Sequence, residues 1–222
     1  MNAAAEPLFD RVVFGVDFAS SSLAAARWAT KYVARRTHAL LSHVVPFPEL
    51  LRGEDDSGDT LRGERGPMLS ALKGALGGFA VTLDLATSLA VLRIGRPSWW
   101  LSSIANQAQA SLVVLGRRRR VARDWFGEPL VAERIAKQTS APLLMVPEGT
   151  KESPARVIAL VEASSDEGTI GNVAESLSRI NNCALELAVA LPSDVSGSII
   201  VAARHRYDLL SSSNVPVLLL AP

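Results

Sequence analysis

Four blocks of this sequence recur in the same order, and that repetition limits the fold more than any single motif. "RVVFGVDFASS" at residue 11 returns as "RVIALVEASSD" at 156, and "HALLSHVVP" at 38 as "CALELAVALP" at 183. "ASLVVLGRRRR" at 110 is echoed by "GSIIVAARHRY" at 197, and "SAPLLMVP" at 140 by "NVPVLLLAP" at 214. Between the copies lies the polar, proline-marked "EGTKESPA", which reads as a linker. Two units are therefore expected, 1–150 and 151–222. They are unequal. The second and third blocks are separated by residues 38 to 112 in the first unit but only by 183 to 198 in the second. The second unit thus lacks a helix, a strand and another helix.

Within the first unit, short apolar runs alternate with helical patterns. Val12 to Val16 reads as a strand ending at Asp17. "SSSLAAARWATKYVARR" follows as a helix with serines to cap its start. "HALLSHVVP" is a second strand, "PMLSALKGALGGF" a helix weakened by glycines, and Ala90 to Ile94 a third strand. Pro97 opens a helix, as proline is tolerated at a first helical position. Leu112 to Leu115, a helix over 129–139 and "APLLMVP" complete the unit. Strands that are apolar throughout and alternate with helices predict an α/β fold, a parallel sheet with helices on both faces.

Composition narrows the function classes. With 48% hydrophobic and 20% charged residues, a packed core is expected. A net charge of +1 argues against a dedicated nucleic-acid binder. The N-terminus lacks the pattern of a signal peptide, and no apolar run reaches the roughly 20 residues of a membrane span. A cytoplasmic protein without nucleic-acid or membrane partners is the expectation. The single cysteine, Cys183, excludes an intrachain disulfide framework and reads as a small buried residue.

One stretch asks for a function. "SLVVLGRRRRVARDWFGEPL" ends a buried strand at Gly116 and continues at once with Arg117, Arg118, Arg119 and Arg120. The plain reading is a solvated loop; the sharper one is an anion site at the end of a strand. No P-loop or dinucleotide fingerprint is present, and no G-x-S-x-G surrounds Ser20 to Ser22. His38, His43 and His205 are too scattered to suggest a metal site, and His43 reads as a satisfied strand histidine. Trp99 and Trp100 are expected to cover the sheet or an interface, and Trp125 and Phe126 to pack.

Taken together, these blocks resemble the universal stress protein family. "VVFGVDFASSSLAAARWA" resembles its first strand and helix, "LLSHVVP" its second strand, and "IGRPSWWLSSIA" its Gly-x-Pro turn into the third helix. "SAPLLMVP" resembles its last strand. The resemblance spans residues 11 to 148, and 156 to 222 in abbreviated form. It implies a strand order 3-2-1-4-5 in the first unit and a truncated second unit. It also implies a nucleotide across the carboxyl ends of strands 1 and 4, where strand order reverses and such sheets open a crevice. Asp17 would lie near that nucleotide, Val44 would contact the adenine, and Gly116 and Gly127 would admit backbone N–H groups to the phosphates.

The sequence departs from the family's nucleotide loop in three places, one being a shortened segment of seven residues between Arg119 and Gly127. Arg119 stands where the second glycine belongs, and Glu128 follows Gly127 where a hydroxyl residue is usual. The site is therefore expected to be degenerate. Its arginines, Arg117 and Arg119 among them, would replace a glycine phosphate cradle, with Asp124 and Glu128 as internal rivals. No cofactor is fixed by the residues; ATP or another phosphate-bearing anion is the ligand implied. The functional expectation is a non-catalytic universal-stress-type protein, not an enzyme. A pure interaction module without a ligand is the rival. An ATP-dependent enzyme is a poor third, because its usual His-x-Gly-His or Ser-Gly-Gly-x-x-Ser motifs are missing.

Three further expectations concern the second unit. Its last strand should pair with that of the first, an intramolecular pseudo-dimer that shields two apolar edges; a homodimer and an unknown protein partner stay open. With Glu162 replacing the strand-end aspartate, the second unit should hold no ligand. Its "PSDVSG" link is too short for a helical crossover, so 198–203 either follows a bare parallel crossing or runs antiparallel. The retained block order favours the bare crossing.

Overall fold

Runs of Val, Ile and Leu bounded by Gly, Pro or polar turns form strands, and the central ones bury side chains on both faces. The computed structural model describes residues 7–46, 60–83, 85, 87–118, 131–161 and 167–220. In it the strands are β1 (Arg11–Gly15), β2 (His38–Val45), β3 (Thr87–Ile94), β4 (Leu112–Arg117) and β5 (Leu143–Pro147). Between them lie α1 (Ser20–Tyr32), α2 (Thr60–Val81), α3 (Pro97–Gln107) and α4 (Val131–Gln138). The strands pair in parallel in the order β3-β2-β1-β4-β5, as the resemblance implies.

Residues 156–220 contribute β6 (Arg156–Leu160), α5 (Glu167–Asn181), β7 (Ala184–Ala188) and β8 (Ser198–Ala203). A 3-10 turn (Arg204–Arg206), α6 (Asp208–Ser212) and β9 (Val217–Leu220) follow. They do not build a separate sheet. The full order is β3-β2-β1-β4-β5-β9-β8-β6-β7, with β5 and β9 antiparallel and every other neighbour pair parallel. The division expected near residue 150 is a seam within one nine-stranded sheet. Both cores run across it. One face joins Phe14, Leu41 and Leu144 to Val157, Leu177 and Leu218, and the other joins Val13, Ile135 and Met145 to Ile158, Ile200 and Leu210.

The short link between β7 and β8 resolves as a bare crossing. Both strands run parallel to β6, which lies between them, and no helix intervenes. Arg156 at the start of β6 holds the link in place. Its guanidinium pairs with Glu186 of β7 (3.2 Å), donates to the hydroxyl of Ser198 in β8 (2.9 Å) and reaches Asp194 in the link (3.7 Å). Hydrogen bonds from the Ser196 hydroxyl and N–H, then Arg156, hold the Asp194 carboxyl below its ordinary pKa.

The seam is symmetric. Leu144 pairs with Leu218, Leu143 with Leu219 and Met145 with Val217. When "SAPLLMVP" is laid on "NVPVLLLAP", Leu144 matches Leu218 and the flanking pairs exchange, as a two-fold axis through that pair requires. Two arginines repeat the symmetry in hydrogen bonds. Arg117, after β4, donates to the carbonyls of Leu210 (2.9 Å) and Ser213 beside α6. Arg204, after β8, donates to the carbonyls of Thr139 and Ala141 beside α4. Arg117 and Arg204 match in the repeated block, and so do Ser213 and Thr139. Each clamps the helix end that precedes the other half's last strand. Burial pushes both guanidinium groups below their ordinary pKa.

Candidate functional site

Strand order reverses between β2 and β4 on either side of β1, so the helices flanking β1 lie on opposite faces and leave a crevice at the carboxyl ends. A cleft of about 700 Å³ occupies that place. Its floor is Gly15, Ser42, Val44 and Leu115, its walls include Leu101 of α3 and Ala132 of α4, and its rim holds Asp17, Ser21, Ser22, Arg117 and Arg118. Asp17, Val44, Gly116 and Arg117 are thus brought together as expected sites of one crevice. Arg119, Gly127 and Glu128 lie outside the described residues, as do Asp124, Trp125 and Phe126; so does Glu162.

The turn from β1 into α1 is built around Asp17. One Asp17 carboxylate oxygen accepts the Ala19 N–H (3.0 Å), and the Asp17 N–H donates to the Ser22 hydroxyl (3.2 Å). Phe18 takes φ 58° between them, a conformation a bulky residue adopts only when its surroundings hold it there. Its ring rests 4.8 Å from that of His43. The buried His43 donates Nδ1–H to the Val16 carbonyl (2.6 Å), so it is a satisfied strand histidine. The serines do not cap α1 with their side chains. Ala19 is the N-cap without a side-chain hydrogen bond, because Ser22 is engaged with Asp17 and the Ala19 carbonyl. The first turn of α1 carries no acidic residue of its own, but the Ser20 hydroxyl at its start donates to a carboxylate oxygen of Glu148 (3.0 Å), which sets a negative charge beside it.

Gly116 is required by packing before any ligand is considered. A Cβ there would stand 2.5 Å from the carbonyl oxygen of Ser21 and 2.7 Å from the Cα of Ser22. The first turn of α1 rests directly on the β4 backbone.

The arginine run divides by strand alternation. Leu115 faces α3 and α4, Gly116 faces α1, and Arg117 turns back to the first face, toward α6 and the seam. Two of its donors are thereby committed to carbonyls. Arg118 falls on the other side, where its guanidinium meets the free carboxylate oxygen of Asp17 at 3.5 Å. Both partners of that pair are exposed, and such pairs contribute about 0–1 kcal/mol, little enough for a multivalent anion to displace. Sequence reasoning named Arg117 and Arg119 and passed over Arg118. Ending β4 at Leu115 hid the alternation; carrying the strand to Arg117, and matching Arg117 to Arg204, would have exposed it.

Ser42 is the other residue that sequence reasoning missed. It is buried in the floor beside Gly15, and its hydroxyl has no hydrogen-bond partner among the described residues. A buried hydroxyl left unsatisfied costs about 1–3 kcal/mol, a cost that a polar partner would relieve. Among the described residues no cluster of three or more His, Cys, Asp or Glu could hold a metal ion, and no helix is long and apolar enough to cross a membrane.

The two arginines should separate in experiment. Arg117→Ala should lower unfolding free energy by about 1.5–3 kcal/mol, the range for hydrogen bonds to a charged donor, whereas Arg118→Ala should leave it within about 0.5 kcal/mol. Urea unfolding of both variants checks this.

The fold and cleft define a doubly wound α/β protein with a crevice at the switch point. Comparison with known proteins assigns the family: the model of the universal stress protein family matches residues 8–147, and the chain belongs to that family. No curated protein matches it in sequence. Among solved structures, a universal stress protein from Archaeoglobus fulgidus aligns over 95% of this chain and 98% of its own, at 9% identity and TM-score 0.70. A putative universal stress protein from Pseudomonas aeruginosa aligns over 97% and 94%, at 9% identity and TM-score 0.61. Both likenesses extend through the C-terminal strands, and they show the fold alone. An Arabidopsis thaliana family protein solved with AMP bound covers 66% of this chain and 97% of its own, at 16% identity and TM-score 0.43.

Proposed function

We propose that the chain is a non-catalytic member of its family that binds a phosphate-bearing ligand of nucleotide type in the β1/β4 cleft, through a degenerate site. The observation that carries this reading is the Ser42 hydroxyl, buried in the cleft floor without a partner among the described residues. Ser42 and Val44 would meet the base, with His43 held against Phe18 behind them. Arg118, released from Asp17, would meet the phosphate, and so would the first turn of α1 once Glu148 swings off Ser20. ATP or another adenine nucleotide is the ligand class, with affinity that falls as salt rises.

In the same reading, residues 151–222 are an abbreviated second copy, and the halves form an intramolecular pseudo-dimer. Its support is the exchange of strand partners about Leu144 and Leu218 and the reciprocal arginines. From the seam outward the strands run β5-β4-β1-β2-β3 on one side and β9-β8-β6-β7 on the other. The second order matches the first without its outermost strand. This copy is structural and holds no ligand.

Calorimetric titration with ATP, AMP and inorganic phosphate at low and high salt tests the site. Wild type should bind a nucleotide, and Arg118→Ala should bind it about tenfold more weakly, a loss of about 1.4 kcal/mol. Ser42→Ala should weaken binding while leaving the unliganded protein as stable or slightly more so, since it removes an unsatisfied buried group. Failure of all three ligands to bind wild type would overturn the reading in favour of an interaction module. That rival draws its support from an apolar strip on β7.

A further inference from the structure

The outermost strand on the C-terminal side, β7, carries leucines that the fold leaves uncovered. Strand register makes the comparison with the first half direct. Val12 pairs with Ala39 and Phe14 with Leu41, whereas Val157 pairs with Leu185 and Ala159 with Leu187. Leu41 is fully buried in a cluster that includes Leu76 and Phe79 of α2. Leu187, in the matching place, is 65% exposed, with Leu185 at 38% and Val189, just beyond the strand, at 81%. α5 packs on β6, β7 and β8, whereas α1 in the other half packs on β4 and β5, and no described element takes the position of α2.

We propose that a second copy of the chain covers this strip, its β7 pairing antiparallel with the β7 of the first. The strand is a free edge, and unpaired edge groups are a template for another strand. β7 carries none of the usual protections. It has no proline or lysine, and its one charge, Glu186, is paired with Arg156. Closure then selects the occupant. Pairing β7 with β3, the other free edge, would be head-to-tail and would propagate into an open filament, whereas β7 on β7 closes after two copies. The chain already makes such a join at β5 and β9, with a leucine pair on its axis.

Side-chain chemistry selects the register. An axis through Glu186 would set two carboxylates directly opposite each other, an unfavourable cross-strand pair. An axis through Leu187 instead places that leucine against its own symmetry mate, Leu185 against Val189, and Glu186 against Ala188. Every exposed apolar residue of the strip then has an apolar neighbour, in the groove between α5 and its mate.

Sedimentation velocity of the full chain over a concentration series tests the proposal. Wild type should show a reversible dimer. Leu187→Lys should be monomeric throughout with an unchanged circular dichroism spectrum, since the position is largely solvent-facing. In a Cys183→Ser background, Leu187→Cys should cross-link to a dimer under mild oxidation, because directly opposed residues on an antiparallel axis fall within disulfide reach. Wild type that stays monomeric at every concentration would overturn the proposal, and so would a dimer that survives Leu187→Lys.

Discussion

Leu144→Ala is expected to lower the unfolding free energy by about 2–5 kcal/mol, the range for truncating a fully buried leucine. The size of the loss follows from its position. Leu144 lies on the axis of the seam, paired with Leu218, in a cluster that runs from α1 to α5. Neighbouring strands and helices from both halves pin the site, so it has little freedom to collapse around the missing methyl groups. Because both cores cross the seam, the sheet should lose stability as one unit. Urea unfolding followed by far-ultraviolet circular dichroism should show a single transition, shifted to lower denaturant with an unchanged slope. Two separated transitions would contradict a cooperative nine-stranded sheet.

Gly116→Ala is expected to cost about 1–3 kcal/mol or more, the penalty of forcing a methyl group into filled space. Its obstruction is backbone, the carbonyl of Ser21 and the Cα of Ser22, so α1 itself must move. Gly15→Ala is the control. Its Cβ would meet the tip of the Leu115 side chain at 2.6 Å, which can rotate away, so its loss should be smaller. Thermal unfolding of the two variants compares them. Since Ser21 and Ser22 line the cleft, Gly116→Ala should also weaken any ligand held there. Equal losses in the two variants would contradict the contact between β4 and α1.

Much of this architecture was legible because the hydrophobic pattern and the block order state it twice. The five strands of the first half follow from apolar runs, their order from the family resemblance, and the parallel direction of β8 from the retained block order. Other features were hidden by local chemistry. The serines before α1 look like caps, yet the Asp17 turn engages Ser22 and leaves Ala19 at the cap. α1 ends at Tyr32 rather than near Arg36, which takes φ 56°. The second-block match by letters sets Cys183 against His38, whereas strand register sets Ala184 there. That single step is what places Leu187 in the position of Leu41, opposite Ala159, and reveals the uncovered strip. Asp17, Val44 and Gly116, which the resemblance singled out, line the cleft. Arg118 and Ser42 were not singled out, because face alternation at a strand end and the absence of a hydrogen-bond partner are properties of three dimensions. Arg117 shows the converse: a residue that looks like an anion ligand in a basic run is held by carbonyls across the seam.

The cleft as a nucleotide site is tested most directly by titrating isotopically labelled protein with AMP and following backbone amide resonances. The account predicts shifts concentrated in three stretches that meet only at the carboxyl ends of β1, β2 and β4: Val16 to Ser22, Ser42 to Val44, and Gly116 to Arg118. The matching positions of the second half, Val161 and Ala203 to His205, should stay unperturbed. Shifts absent from all three stretches at saturating AMP, or confined to the β7 edge around Leu187, would contradict it.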